Sequence, residues 1–240
     1  MKRIICSFAI ALLAVSLLAP PCAADDPAAL MLKQDGYTVS LSLKFTKKSQ
    51  NSLEHALAFL DWGPNGYATG FAVGNGLVMT AYHVVSGDLS VSKKAQLGFS
   101  AKDQLKVKAY VNGCEATVLK VDVDADLALL RVCQSQKHAK APSFQASLDK
   151  DAKLLLIARP HGDKLVRHGV FYGPYMSRGL QYLSAKIDVH DGYSGSPVYN
   201  DKAELVGVFS GYDWSKKLAL ISPGSRAQKL LEDYAASPQP

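Results

Sequence analysis

Tyr67-Ala68-Thr69-Gly70-Phe71-Ala72-Val73 and Leu77-Val78-Met79-Thr80-Ala81, separated by Gly74-Asn75-Gly76, decide the fold class of this chain. Both runs are short and rich in residues that favour strands. The glycines and Asn75 between them tolerate the positive φ angles that a tight hairpin turn demands. The same grammar recurs in both directions. Tyr37 to Phe45 alternates Tyr, Val, Leu, Leu, Phe with Thr, Ser, Ser, Lys at period two, the pattern of a strand with one buried face. Further strands are expected over 105–111, 116–121, 127–132, 153–158, 166–172, 181–187, 196–199, 204–210 and 217–221. Turn residues rather than long helices separate them, which predicts an all-β barrel or sandwich and excludes a βαβ arrangement. Helical spacing is confined to two places. Leu53, Ala56, Leu57 and Leu60 predict a short helix over 51–60, and Ala227, Leu230, Leu231 and Tyr234 predict an amphipathic one over 225–236. Ser225-Arg226-Ala227-Gln228 reads as a capping box for the second, ahead of a Ser-Pro-Gln-Pro tail. The polar stretch 134–150 divides the strands into two groups, and no internal repeat is present.

Composition removes other classes. With 48% hydrophobic and 20% charged residues, 18 Gly and 11 Pro in 240 residues, the chain is neither collagen-like, coiled-coil nor disordered. Met1-Lys2-Arg3, the apolar run Ile4 to Ala19 and the small residues Cys22-Ala23-Ala24 predict a signal peptide over 1–24, leaving a mature domain at 25–240. The apolar run is short for a spanning helix and ends in Pro20-Pro21 without a basic flank, so a secreted or periplasmic protein with no membrane anchor is expected. Lys2 and Arg3 leave with the leader, so the formal charge of +6 falls to +4. That excess is spread along the chain and gives no nucleic-acid track. Of the 4 Cys, Cys6 and Cys22 leave as well, and Cys114 and Cys133 are expected to form one disulfide in an oxidising compartment. No Cys-x-x-Cys or His-Glu-x-x-His occurs, and Asp122-Val123-Asp124-Ala125-Asp126 is followed by Leu127 where a calcium loop needs glycine. No metal and no cofactor are expected.

Three segments carry chemistry when taken together. They are Thr80-Ala81-Tyr82-His83, Asp126-Leu127-Ala128-Leu129-Leu130 and Asp191-Gly192-Tyr193-Ser194-Gly195-Ser196-Pro197-Val198. Singly each has an ordinary structural reading: a histidine at a strand end, a turn carboxylate, a tight turn. In combination they supply what acyl transfer needs. A serine hydroxyl is a nucleophile only when a base takes its proton during attack, and histidine does this near neutral pH. A carboxylate behind the ring fixes its tautomer, and N–H groups at a glycine bend receive the negative oxygen that develops.

These three blocks, in the order His, Asp, Ser, resemble trypsin-like (chymotrypsin-fold) serine peptidases, with most similarity to the bacterial HtrA-type and glutamyl-endopeptidase-like branches. The resemblance spans about 65 to 233. It implies two perpendicular six-stranded barrels with the site between them: a first barrel over about 37–140 with His83 and Asp126, and a second over about 150–222 with Ser194. It implies His83 as general base, Asp126 as its partner, Ser194 as nucleophile, and the N–H groups of Gly192 and Ser194 as the oxyanion hole. Asp126 is preferred to Asp122 and Asp124 because it directly precedes the apolar strand; the other two are expected to be solvated. A hairpin turning at 123–124 would pair residues whose numbers add to 247, which places Cys114 opposite Cys133.

The sequence also departs from the animal digestive enzymes. Tyr193 rather than Asp precedes Ser194 and no Ile-Val-Gly-Gly start exists, so activity without propeptide cleavage is expected. Asp188, six residues before Ser194, lies where trypsin carries its selector for basic residues. Ser210, Gly211 and Tyr212 belong to the strand expected to pair with substrate backbone, with Tyr212 narrowing the pocket. The expected partner is a protein or peptide substrate; the sequence gives neither the preferred residue nor the oligomeric state. A catalytically inactive peptide- or protein-binding module on the same fold is the alternative, and the presence of all three residue types weighs against it. A lipase-like hydrolase is excluded, because Ser196 stands where its Gly-x-Ser-x-Gly elbow needs glycine and the histidine precedes the serine.

Overall fold

Alternation and continuous apolar runs place each strand, and they do so differently on the two sides of each barrel. The computed structural model describes residues 37–48, 65–133, 142–144, 148–177 and 179–237. The expected signal peptide, the helix expected at 51–60, most of the polar linker and the last three residues lie outside the described residues. Strands β1 (Thr38–Lys47), β2 (Gly66–Gly74), β3 (Leu77–Ala81), β4 (Leu105–Val111), β5 (Cys114–Asp122) and β6 (Leu127–Arg131) close into an antiparallel barrel in the order β1-β2-β3-β6-β5-β4. Strands β7 (Lys153–Ala158), β8 (Leu165–Ser177), β9 (Leu180–Ile187), β10 (Pro197–Asn200), β11 (Leu205–Asp213) and β12 (Leu218–Pro223) close into a second, in the order β10-β11-β12-β9-β8-β7. Among the described residues three helices join them: α1 (Tyr82–Ser86), α2 (Val91–Gln96) and α3 (Gly224–Ala235).

Among the described residues three apolar clusters form the core. Leu41, Leu43, Phe45, Val78 and Leu130 lie inside the first barrel, and Leu156, Phe171, Ala185, Val198 and Ile221 inside the second. The third cluster is the seam, where Phe71, Met79, Leu127 and Leu129 of the first barrel meet Leu155, Ile157, Tyr199 and Leu205 of the second. Strands at the seam bury both faces, which is why Leu127-Ala128-Leu129-Leu130 is apolar without interruption while β1 alternates. The Gly74-Asn75-Gly76 signal becomes a two-residue turn, with Gly74 paired to Leu77 and positive φ at Asn75 and Gly76.

The structure corrects several expectations. β8 continues past Gly173-Pro174 to Ser177, because a register shift between Phe171 and Gly173 lets the ladder resume with Pro174 opposite Leu183. α3 begins at Gly224 straight after Pro223, so Ser225 lies inside the helix and caps nothing. Glycine suits the first position of the helix, because a side chain on Gly224 would stand 2.7 Å from the Leu205 carbonyl oxygen. Asp122 is not a solvated loop residue. Its carboxylate receives the Arg226 guanidinium at 2.7–2.9 Å and the Ala125 N–H at 3.0 Å, which pins α3 to the first barrel. Cys114 and Cys133 form a disulfide across the base of the β5–β6 hairpin, with Cα atoms 6.2 Å apart. The register is not the expected one, since Thr117 pairs with Arg131 and, after a bulge, Asp122 with Leu127. A four-residue turn at 123–126 replaces the tighter one, and the bridge runs diagonally from β5 to the chain just beyond β6.

Candidate active site

Neighbouring strands deliver the first two groups. β3 and β6 are paired, so the residues following Ala81 and preceding Leu127 meet at one end of the first barrel, where the Tyr82 N–H donates to the Asp126 carbonyl at 3.0 Å. The chain then turns into α1, which carries His83. The Asp126 carboxylate is held at both oxygens: the His83 backbone N–H donates to Oδ1 and His83 Nδ1 stands 2.8 Å from Oδ2. Ser210 Oγ donates to Oδ2 as well. An ionised carboxylate only accepts hydrogen bonds, so Nδ1 carries the ring proton and Nε2 of the neutral ring keeps its lone pair. Asp126 is sheltered, with 14% of its side chain exposed, while the His83 side chain is 38% exposed.

Ser194 belongs to the loop joining β9 to β10. Thr69 of the first barrel fastens this loop across the seam: its N–H donates to the Ser194 carbonyl and its hydroxyl to the Gly192 carbonyl, both at 3.0 Å. That hydroxyl also accepts the Arg159 N–H at 2.9 Å. Gly192 and Gly195 have φ of 86° and 84°, the left-handed region, and a side chain on Gly195 would meet the Thr69 carbonyl at 2.2 Å. The Gly195 N–H donates to the Phe209 carbonyl and the Ser196 N–H to that of Tyr193. Among the described residues the N–H groups of Gly192 and Ser194 donate to no acceptor.

His83, Gly192 and Ser194 line one cleft of about 910 Å³ between the barrels. Gly211 and Tyr212 line it as well. Ser210 does not: it falls at the β11 bulge between Phe209 and Gly211, which turns its hydroxyl to Asp126 behind the ring and not towards a substrate. Asp188 is not brought into the cleft either. Ile187 and Val189 are buried, so the residue between them points out, where its carboxylate stands 3.5 Å from His190 Nε2.

Other lining residues carried no local signal. Trp214, 79% exposed, stacks edge-on against Tyr212 with centroids 4.8 Å apart. Tyr67 packs on His161 at 4.3 Å, and Lys93 of α2 reaches across to Asp191 at 3.0 Å. Asp213 anchors the turn that presents Trp214. Its carboxyl is held well below the usual range by hydrogen bonds from Ser215 and Tyr175. A hydroxyl, a ring nitrogen with a free lone pair and two undonated N–H groups on one cleft can together take a proton, attack a carbonyl and receive its oxygen. Among the described residues no cluster of His, Cys, Asp and Glu could hold a metal ion.

Comparison with known proteins gives the family and the fold. A family model described as a trypsin-like peptidase domain matches residues 68–208. The chain has the fold of the Rv3671c protease of M. tuberculosis. The active form gives a TM-score of 0.61 at 18% identity, covering 99% of this chain and 96% of that one. The inactive form gives 0.56 at 18% identity, covering 90% and 97%. A serine-to-alanine mutant in its inactive form also gives 0.56 at 18%, covering 92% and 97%. No curated protein matches the sequence.

Proposed function

The chain belongs to the trypsin-like peptidase domain family and is a serine-type peptidase, and from that premise we propose that it is an exported endopeptidase working through Ser194, His83 and Asp126. The observation that carries the reading is the 2.8 Å contact between His83 Nδ1 and Asp126 Oδ2, with His83 and Ser194 on the same cleft. In the first half-reaction His83 Nε2 takes the Ser194 proton as Oγ bonds to the carbonyl carbon of the scissile peptide. The carbonyl oxygen becomes an oxyanion facing the N–H groups of Gly192 and Ser194. His83 then gives its proton to the leaving nitrogen, the C–N bond breaks, and an acyl-enzyme remains. Water attacks the ester in the second half-reaction with the same base, releasing the acid and restoring Ser194. Asp126 stays ionised throughout and stabilises the imidazolium.

The substrate is a protein or peptide. An extended chain would lie beside β11 at Gly211 and Tyr212, pairing its backbone with that strand, with Trp214 at the rim. The leader expected over 1–24 and the Cys114–Cys133 disulfide support export. The test is cleavage of casein and of a peptide library by the purified mature protein. New termini released by the wild type and absent with Ser194→Ala are expected, and equal cleavage by both proteins would reject the reading.

A further inference from the structure

We propose that Tyr193 is a positioning residue: its ring, braced by the Arg167 guanidinium, is the peg that holds the 192–195 loop with its N–H groups turned to the cleft. This rests on the reading of Ser194 as the nucleophile. Thr69 fastens the Gly192 and Ser194 carbonyls from the first barrel, which leaves the loop's side-chain hold on the second barrel to the residue between them. Gly192 and Gly195 sit at either end of the loop with φ of 86° and 84°, and glycine leaves that region at little steric cost. Between them, only Tyr193 has a side chain buried in the second barrel. It is 1% exposed and belongs to the cluster that contains Leu156, Val198 and Phe209. The His190 ring meets it edge-on at 5.8 Å, and the Arg167 guanidinium of β8 lies 5.8 Å from its centroid, inside cation–π reach.

The polar atoms show which part of the side chain matters. Tyr193 Oη is buried without a hydrogen-bond partner among the described residues, so the contacts that anchor the side chain are those of its ring. The Arg167 guanidinium donates through Nη1 to the Val166 carbonyl at 3.3 Å, while its Nε is buried without a partner among the described residues, so the electron-rich ring face shares in offsetting its charge. The Tyr193 backbone is tied on both sides, its N–H to the His190 carbonyl at 3.2 Å and its carbonyl to the Ser196 N–H at 2.9 Å. The Ser194 N–H shares a peptide plane with that carbonyl. Fixing the ring therefore fixes the plane that aims the Ser194 N–H, the one of the two donors that the Tyr193 backbone carries.

The test separates positioning from mere stability by using two ligands of one peptide sequence taken from a cleaved substrate. The peptide aldehyde adds the Ser194 hydroxyl: Oγ bonds to the carbonyl carbon, the C=O π pair moves to the oxygen in the oxyanion site, and the serine proton passes to His83 Nε2. The carboxylate product binds the cleft without that addition. For Tyr193→Ala, kcat and aldehyde affinity should fall together by about 100-fold, the range for a lost oxyanion donor, while KM and product affinity change less than about threefold. Tyr193→Phe should stay within about threefold of wild type in all four, because it removes only the unpartnered hydroxyl. A folded Tyr193→Ala with near-native kcat, or with reduced kcat and unchanged aldehyde affinity, would overturn the proposal. Should that variant not fold, Arg167→Met decides: a parallel loss of about fivefold in kcat and aldehyde affinity supports the brace, and no loss refutes it. A wild-type protein that neither cleaves peptides nor binds the aldehyde would fail before any variant is made, and it would take the nucleophile assignment with it.

Discussion

In the first barrel Asp126 and His83 are fixed by side-chain hydrogen bonds: two contacts of 2.8 Å between them, with Ser210 Oγ on the same carboxylate. In the second barrel Ser194 is fixed by backbone shape, between two glycines at positive φ, with its own carbonyl and that of Gly192 fastened to Thr69. A hydrogen-bonded group can be changed atom for atom while its surroundings keep their form. A loop set by conformation tolerates far less, because one added carbon displaces everything attached to it. The two halves of the site should therefore fail in different ways.

Gly195→Ala should have the largest effect. Its Cβ would stand 2.1 Å from Thr80 Oγ1 and 2.2 Å from the Thr69 carbonyl, neither of which can retreat from the seam. Hydrolysis should drop to background and thermal unfolding should show a loss of about 3 kcal/mol; an active, stable variant would break the contrast. Asp126→Asn should keep the fold and lose about 10⁴-fold in kcat, because the amide favours the wrong ring tautomer. Melting curves that match wild type beside that loss are the expected signature, and a large shift in melting temperature would mean that both halves are held alike.

Smaller effects belong to the supports. Cys114→Ser should lower stability by about 3 kcal/mol, the amount for closing a loop of this length, with kcat/KM unchanged in the folded protein. The seam has its own pH limit. Burial pushes the Tyr37 phenol up to about 12 from an ordinary 10.0, so the fold keeps it neutral while the unfolded chain ionises it. The stabilisation is complete below pH 10 and is lost as pH rises towards about 12, by about 2 kcal/mol, and denaturant titrations across that range should show it. Tyr37→Phe should remove that part of the slope.

Strands were readable because their side chains repeat every second residue and the turns between them use residues suited to positive φ. Asn75 and Gly76 show this, as do β4 and β7, which begin and end at the expected residues. What escaped depends on partners distant in the chain. α1 is one turn long, and α2 buries no side chain that could give it an apolar face. The ion pair of Asp122 with Arg226 spans 104 positions, and the contact of Ser210 with Asp126 spans 84. The bulge that turns Ser210 inward leaves no mark in the local sequence. His83, Asp126 and Ser194 were legible as a constellation of residue types in a fixed order; that Thr69 and Tyr193 hold the loop around Ser194 became visible only with the barrels closed.

Reaction with a peptidyl diphenyl phosphonate probes the central claim most directly, since the reagent phosphonylates a serine only when a base activates it. Peptide mass mapping should find one adduct, on Ser194, in the wild-type protein, and none in His83→Ala at the same concentration and time. Labelling elsewhere, or an equal rate of Ser194 labelling without the imidazole, would contradict a hydroxyl activated across the cleft.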